Sequence, residues 1–298
     1  MKPYVRKARG KERTVLRCRR KGCQTTRSAR AGNKFFHYVD KNGRLNSGLT
    51  LAQILEIVFY WCHQLSQRTV RQLTGRGDHT MCDWYSLCRD VPITMFRRRE
   101  KMGGAGSIIQ MDECLLRGKR KYNRGRFLGR DEPAEELDED DIEDVDIFTP
   151  RNYGTRIEGP WVFGICEKKS DGVTEARYFV VLRRDRETLF PIIENEINKG
   201  STIHSDEWRA CRTLDQHGYN HETVNHSEFF VDPYTGANTQ RIESLWAPLK
   251  QKIVRQMRGT SPEMLPSYLI EAWWRLRNRN DDLFMAFMRD VKEFAEEH

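Results

Sequence analysis

Two short apolar runs in this chain each end on an aspartate, and together with one later helix they constrain the fold more than any other feature. Ile108-Ile-Gln-Met-Asp112, bounded upstream by Gly103, Gly104 and Gly106, reads as a short buried strand. Ser201-Thr-Ile-His-Ser-Asp206 reads as a second. Between Thr239 and Lys250 the pattern changes period: Ile242, Leu245, Trp246, Leu249 and Ile253 fall at helix offsets of 3, 4, 7 and 11, and Glu243 rides on that segment. A chain built this way can bring two strand ends and a helix together.

Carboxylates so placed can converge on a pair of divalent cations. Hard cations of the Mg²⁺ type take oxygen ligands and keep positions open for water and substrate phosphates. Two of them, about 3.5–4 Å apart, can clamp the attacking and leaving oxygens of an in-line phosphoryl displacement. Glu113 is an extra acid beside Asp112. Neighbours on a strand face opposite ways, so one of the two points at such a site.

Charge narrows the partner. The 298 residues carry 51 Lys and Arg against 43 Asp and Glu, but eleven of those acids lie in the run 131–146, which has no Lys or Arg. Outside it the excess of positive charge rises from 8 to 19. So basic a remainder favours a polyanion, since each cation near a phosphate releases condensed counterions; a generic basic surface is the bland alternative. The acidic stretch, taken with its flanks as 130–147, is too charged to fold alone and reads as a disordered insertion. No stretch approaches the roughly 18–20 apolar residues of a membrane span. The start, Met1-Lys-Pro-Tyr-Val-Arg6, lacks an apolar core, so a soluble intracellular protein with mostly reduced thiols is expected.

The chain divides into four parts. Residues 1–49 form a basic arm, with twelve Lys or Arg in the first thirty residues. Within it Cys18 and Cys23 have the loop spacing of half a zinc knuckle. Structural zinc takes four protein ligands, so the readings are zinc completed by His37 or more distant groups and a degenerate ribbon packed without metal. Residues 50–101 form the second part, in which 50–91 read as three helices. The first opens on a Thr50/Gln53 capping box, the second runs from Ser66 to Leu73 and stops at Gly75, and the third begins near Thr80 and ends at Pro92. Spacing alone leaves a helix-turn-helix and a plain helical domain equally open. Residues 107–258 alternate strands and helices: Trp161–Cys166 and Tyr178–Leu182 as strands, Leu189–Ile197 as a helix, Glu207–His217 as another, and Glu222–His226 as a strand. Pro248 predicts a kink in the Glu243 helix. Residues 259–298 hold two amphipathic helices, expected to pack on the sheet.

The spacing and blocks together resemble a known family. Thirty-six residues separate Asp206 from Glu243, and Lys250 follows Glu243 by seven. Gln110-Met-Asp-Glu113, Lys119-Arg-Lys-Tyr-Asn-Arg-Gly-Arg126, Gly159-Pro-Trp-Val-Phe-Gly164, His204-Ser-Asp-Glu-Trp208, Val224-Asn-His-Ser227, Phe230-Val-Asp-Pro-Tyr-Thr-Gly236 and Ile242-Glu-Ser-Leu-Trp246 appear in order. The chain resembles the DDE transposases, specifically Merlin-type elements of animals and their bacterial insertion-sequence relatives, over roughly residues 15 to 275. The resemblance implies an α/β fold with a ribonuclease-H-like mixed sheet flanked by helices and a helix-turn-helix-like DNA-binding domain before it. It implies Asp112, Asp206 and Glu243 as catalytic ligands of two Mg²⁺ or Mn²⁺ ions, with Asp112 rather than Glu113 facing them. Lys250 would contact a phosphate, and the basic segment with Lys119, Arg120, Lys121, Arg124 and Arg126 would grip DNA or serve nuclear import. His226 would position DNA or a water, or be structural. The partners implied are double-stranded DNA, at terminal inverted repeats and target, and further copies of the chain to pair two ends. A host-adopted DNA-binding protein and a nuclease without strand transfer stay open beside the transposase.

Overall fold

The computed structural model describes residues 2–8, 11–28, 30, 32–37, 48–116, 160–170, 172–206, 213–225 and 228–297. The basic segment 117–126 and the acidic run 131–146 therefore lie outside the described residues.

The basic arm is not a bare extension. β1 (Lys2–Ala8), β2 (Lys11–Arg17) and β3 (Thr26–Ser28) form an antiparallel meander in that order. Three helices follow: α1 (Leu51–Cys62), α2 (Gln67–Thr74) and α3 (Asp78–Arg97). The capping box at α1 is formed, with Gln53 N–H donating to Thr50 Oγ1 and Thr50 N–H to Gln53 Oε1. Gly75 ends α2 in the left-handed conformation, where glycine carries no Cβ penalty.

The end of α3 corrects the sequence reading: the helix does not stop at Pro92 but runs on to Arg97. An interior proline costs about 3 kcal/mol. Here Val91, Met95 and Phe96 are buried around it, in a cluster shared with Trp61, Trp273 and Phe287, and that burial outweighs the lost hydrogen bond. The same burial bears on the helix-turn-helix expectation. Most of α3 faces the core, and its exposed positions include Asp78, Asp83 and Asp90, whereas Arg68 is exposed on α2.

The catalytic-domain expectation of a mixed α/β sheet is met. β4 (Ile108–Leu115), β5 (Trp161–Lys168), β6 (Thr174–Val181), β7 (Thr202–Asp206) and β8 (Asn220–Val224) form one sheet in the order β6-β5-β4-β7-β8. β4, β5 and β6 are antiparallel neighbours; β7 runs parallel to β4 and β8 parallel to β7. α4 (Arg186–Glu196) crosses between β6 and β7 and buries Leu189 and Ile193 under one face. Of the helix expected over 207–217, the described end is a 3-10 turn, Leu214–His217. The strand expected at 222–226 lies two residues earlier, as β8.

α5 (Gln240–Lys250) lies on the opposite face and passes directly into a π-helical turn, Gln251–Gln256. Pro248 cannot donate to the carbonyl four residues back, and the wider turn follows it. α6 (Leu265–Arg277) and α7 (Leu283–Glu297) complete the chain. Their packing differs from the expectation that both lie on the sheet. α6 packs along β6 and against α3, with Leu265 and Leu269 in the cluster under α5 and Trp273 and Trp274 among the N-terminal helices. α7 packs on α1 and α3. The physical reason is the aromatic face of α7: Phe287 meets Trp61, Trp274 and Phe35 ring to ring, a pocket the sheet does not offer.

Candidate active site

The parallel register of two strands builds the site. β4 and β7 pair Ile108 with Thr202, Ile109 with Ile203 and Gln110 with His204. Side chains two apart on a strand share a face, so two residues beyond the last pair the strands bring Asp112 and Asp206 out beside each other. α5 crosses that face and buries Ile242, Trp246 and Leu249 against it. Glu243, in its first turn, then approaches from the third side.

The approach of α5 depends on Gly164, which sits opposite Asp112 on β5. A Cβ there would lie 2.5 Å from Trp246 Cη2 and 3.0 Å from Ile242 Cδ1. Glycine leaves room for the indole, and the indole reaches the site: Trp246 Nε1 donates to Asp112 Oδ2 at 2.7 Å. The other Asp112 oxygen accepts from the Glu113 amide at 2.7 Å. Glu243 is held from its own helix end, where Thr239 Oγ1 donates to Glu243 Oε1 at 2.5 Å.

The electrostatics record the crowding. Burial pushes the Asp112 carboxyl up to about 6, the Trp246 indole pulls against it, and the charges of Asp206 and Glu243 push it further up. Glu113 rises to about 8, first through burial and then through Asp112 and Asp206, with Arg184 opposing. Among the described residues no three His, Cys, Asp or Glu side chains gather closely enough to make a ready-formed cation site. The donor set nonetheless suits a hard divalent cation. All three acids supply oxygen, and a buried carboxylate facing two like charges is relieved by a cation between them.

Lys250 ends α5, exposed, two turns from Glu243 on the same side of the helix. On β4, burial raises the Cys114 thiol and the Lys250 charge opposes it. Lys119, Arg120, Lys121, Arg124, Arg126, Trp208 and His226 lie outside the described residues. Cys18 and Cys23 flank the turn between β2 and β3, where the Cys18 amide donates to the Thr25 carbonyl and Cys23 Sγ lies 3.2 Å from Thr25 Oγ1. No His, Cys, Asp or Glu among the described residues completes a metal-holding group with them. Two thiols supply half of a four-ligand zinc.

Three residues escaped sequence reasoning as parts of this site. Gln110 is buried on β4 and caps α5 from across the sheet: its Oε1 accepts from Arg241 N at 2.9 Å and Ile242 N at 3.3 Å, and its Nε2 donates to Asn238 Oδ1 at 2.8 Å. Gly164 and Trp246 set the depth of the same helix. All three lie inside the blocks quoted above, yet a contact spanning 131 residues leaves no local signal.

The fold and site thus define an α/β protein with an acidic centre at the carboxyl ends of two parallel strands, roofed by an acid-bearing helix. Residues 143–277 match the ISXO2-like transposase domain, a span that includes Asp206 and Glu243. An uncharacterized transposase-like protein of Haemophilus influenzae is 30% identical over 91 residues, which is 30% of this chain and 72% of that protein. The chain belongs to a transposase family. Among solved structures, the Mos1 strand transfer complex and a pre-cleavage Mos1 transpososome are 10% identical to it, each with a TM-score of 0.28. They cover 86% and 81% of this chain, and it covers 77% and 75% of theirs. Overlap at that score is too loose to define a common fold.

Proposed function

We propose that this transposase cuts DNA at the terminal inverted repeats of a Merlin-type element and joins the freed ends to target DNA by metal-dependent phosphoryl transfer. The observation that carries the reading is the register of β4 with β7, which brings Asp112 beside Asp206, with Glu243 on α5 close enough for its charge to act on Asp112. The strand order, three antiparallel strands followed by two parallel ones on the other side of β4, supports a ribonuclease-H-like sheet.

Asp112, Asp206 and Glu243 would hold two Mg²⁺ or Mn²⁺ ions. When bound, such ions supply acidity to a water or a 3′-hydroxyl and neutralise the leaving oxygen. The chain's own groups set the stage for that chemistry. The Trp246 indole orients Asp112, and Thr239 selects the rotamer of Glu243. Lys250, on the same side of α5 as Glu243, presents an ammonium to a phosphate beside the cut. Joining exchanges one phosphodiester for another, so the reaction needs no nucleotide. Pairing two element ends calls for at least two copies of the chain, and an animal element acts in the nucleus.

The test is Mg²⁺-dependent cleavage of a labelled duplex that carries the element's terminal repeat. Wild type should cut, and Asp112→Asn, Asp206→Asn and Glu243→Gln should each lose cutting by several orders of magnitude while still binding the duplex. Joined products in the same reaction separate a transposase from a nuclease. Wild-type binding with no cleavage would replace the reading by that of a host-adopted DNA-binding protein. Cleavage retained by the variants would remove the three acids from the mechanism.

A further inference from the structure

Beside the acidic centre, the chain exposes large aromatic side chains on a segment that is built to stay rigid. Tyr234 is 95% exposed and Phe230 is 74% exposed, between β8 and α5. Isolated exposed apolar residues are ordinary, but here the backbone that carries Tyr234 is held in a closed turn. Asp232 Oδ1 accepts from Tyr234 N at 3.0 Å, Thr235 N at 2.7 Å and Thr235 Oγ1 at 2.9 Å. The main chain closes on itself, with Asp232 N–H donating to the Ala237 carbonyl and Gly236 N–H to the Asp232 carbonyl, both at 2.9 Å. Gly236 adopts φ 78°, which favours glycine. Pro233 stiffens the tip further.

The foot of the loop is tied to the strands that carry the acids. Asn238 N–H donates to His204 Nδ1 at 3.2 Å, and Asn238 Oδ1 accepts from Gln110 Nε2. Gln110 and His204 stand two residues before Asp112 and Asp206 on the same strands. The same foot borders a cavity of about 990 Å³: Gly236 and Asn238 line it together with Arg241, Lys168, Lys101, Arg98 and Arg277. Among the described residues neither Lys168 nor Arg241 forms an ion pair. Glu100, Glu167 and Glu175 also line the cavity, but cations outnumber them. A mainly basic cavity at the foot of a loop that carries exposed aromatic rings suits an unpaired nucleic-acid strand, with phosphates in the cavity and bases stacked on the rings.

We propose that the loop Phe229–Gly236 and the adjoining basic cavity form a track for a single DNA strand, in which Phe230 and Tyr234 stack unpaired bases next to the cut. This rests on the reading that the chain acts on DNA. It adds a second surface, distinct from the three acids, that recognises strand separation rather than sequence. The stacking is tolerant because every base has a π-face. A duplex keeps its bases stacked inside, so the loop discriminates for frayed, nicked or displaced ends.

Fluorescence anisotropy on the full chain in EDTA tests the track without any cleavage. The probes are a labelled oligothymidine and a duplex that carries the terminal repeat. Phe230→Ala/Tyr234→Ala should weaken oligothymidine binding about tenfold or more, since one stacked base is worth about 1–3 kcal/mol, and should leave duplex binding within about twofold by the same argument. Tyr234→Trp should retain oligothymidine binding. Lys168→Ser/Arg241→Ser should flatten the salt dependence of oligothymidine binding by up to about one unit of slope for each phosphate left without its cation. Unchanged oligothymidine binding in the aromatic variant would overturn the track, as would equal losses on both probes or a change confined to oligomeric state. Wild type that binds the duplex but not oligothymidine defeats the track alone; wild type that binds neither defeats the DNA reading as well. Loss of Mg²⁺-dependent cleavage with oligothymidine binding intact bears only on the three acids.

Discussion

At the scale of single residues, the site is set by an absence. Gly164 has no side chain where the indole of Trp246 must pass, and that indole holds Asp112. Gly164→Ala should displace α5 from the sheet. Overpacking of a close-fitting interface costs about 1–3 kcal/mol, so urea denaturation should show a loss of that order. Cleavage should fall far more than the stability loss explains, because Glu243 moves with the helix. A variant of normal activity would mean that the depth of α5 does not matter to the chemistry. Asp112, Asp206 and Glu243 stand out as candidates from their places at two strand ends and on one helix. Gly164 and Trp246 do not. A glycine in a strand is locally only a weak strand former, and its use appears when a helix about 80 residues later lands on it.

At the scale of elements, α5 has no side-chain cap of its own, because Thr239 turns its hydroxyl to Glu243 instead. Gln110 supplies the missing acceptor from β4. Gln110→Ala should therefore leave two helix-start N–H groups without that acceptor, a cost of about 1–3 kcal/mol for a buried unmet donor. It should fray the turn that carries Glu243. Gln110→Glu keeps the acceptor oxygen and should recover much of the stability, though Asn238 then has no donor facing it. Hydrogen exchange at the Arg241 and Ile242 amides reads the difference directly; equal protection in wild type and alanine variant would discard the cap. α3 offers the converse case. Local propensity ends a helix at a proline, and Pro92 reads as such an end, but a helix enclosed by α1, α6 and α7 continues through it.

At the scale of the whole molecule, a charge network joins the segment after α3 to the sheet and to α6. Arg177 on β6 pairs with Glu175 at 2.6 Å and Glu196 at 2.7 Å, Arg99 pairs with Glu196, and Lys169 reaches Glu175 at 2.6 Å. Trp273 Nε1 on α6 donates to Glu175 at 3.3 Å. Burial alone would raise Glu175, but Arg177 and Lys169 hold it down at about 2, against an ordinary 4.5. A depressed carboxylate stabilises the fold above its unfolded pKa, and that stability is lost as pH falls through the folded one. The stability gap between wild type and Glu175→Gln should thus be full at pH 7, shrink below about 4.5 and close near 2 by the same linkage. Denaturant titrations at several pH values measure it, and a gap that does not change with pH would exclude ion pairing as its source. The same scale explains why sequence alone misplaces α7. Trp273, Trp274 and Phe287 mark buried faces in any helix of this composition, but amphipathic spacing does not say which surface receives them.

By itself the amino-acid sequence determined the elements whose signal is local: strands of apolar runs ending in Asp112 and Asp206, a helix of period 3.6 under Glu243, a capped α1, and a basic chain around an acidic run. Side-chain period and charge act within a few residues, so they are readable there. Tertiary structure alone decided the register of β4 on β7, the close seat of α5 over Gly164, the cap from Gln110, the π turn after Pro248 and the partner of α7. Each of those is a choice among surfaces far apart in the chain. It is made by how volumes fit and where buried hydrogen bonds find partners, quantities that exist only once the chain has folded.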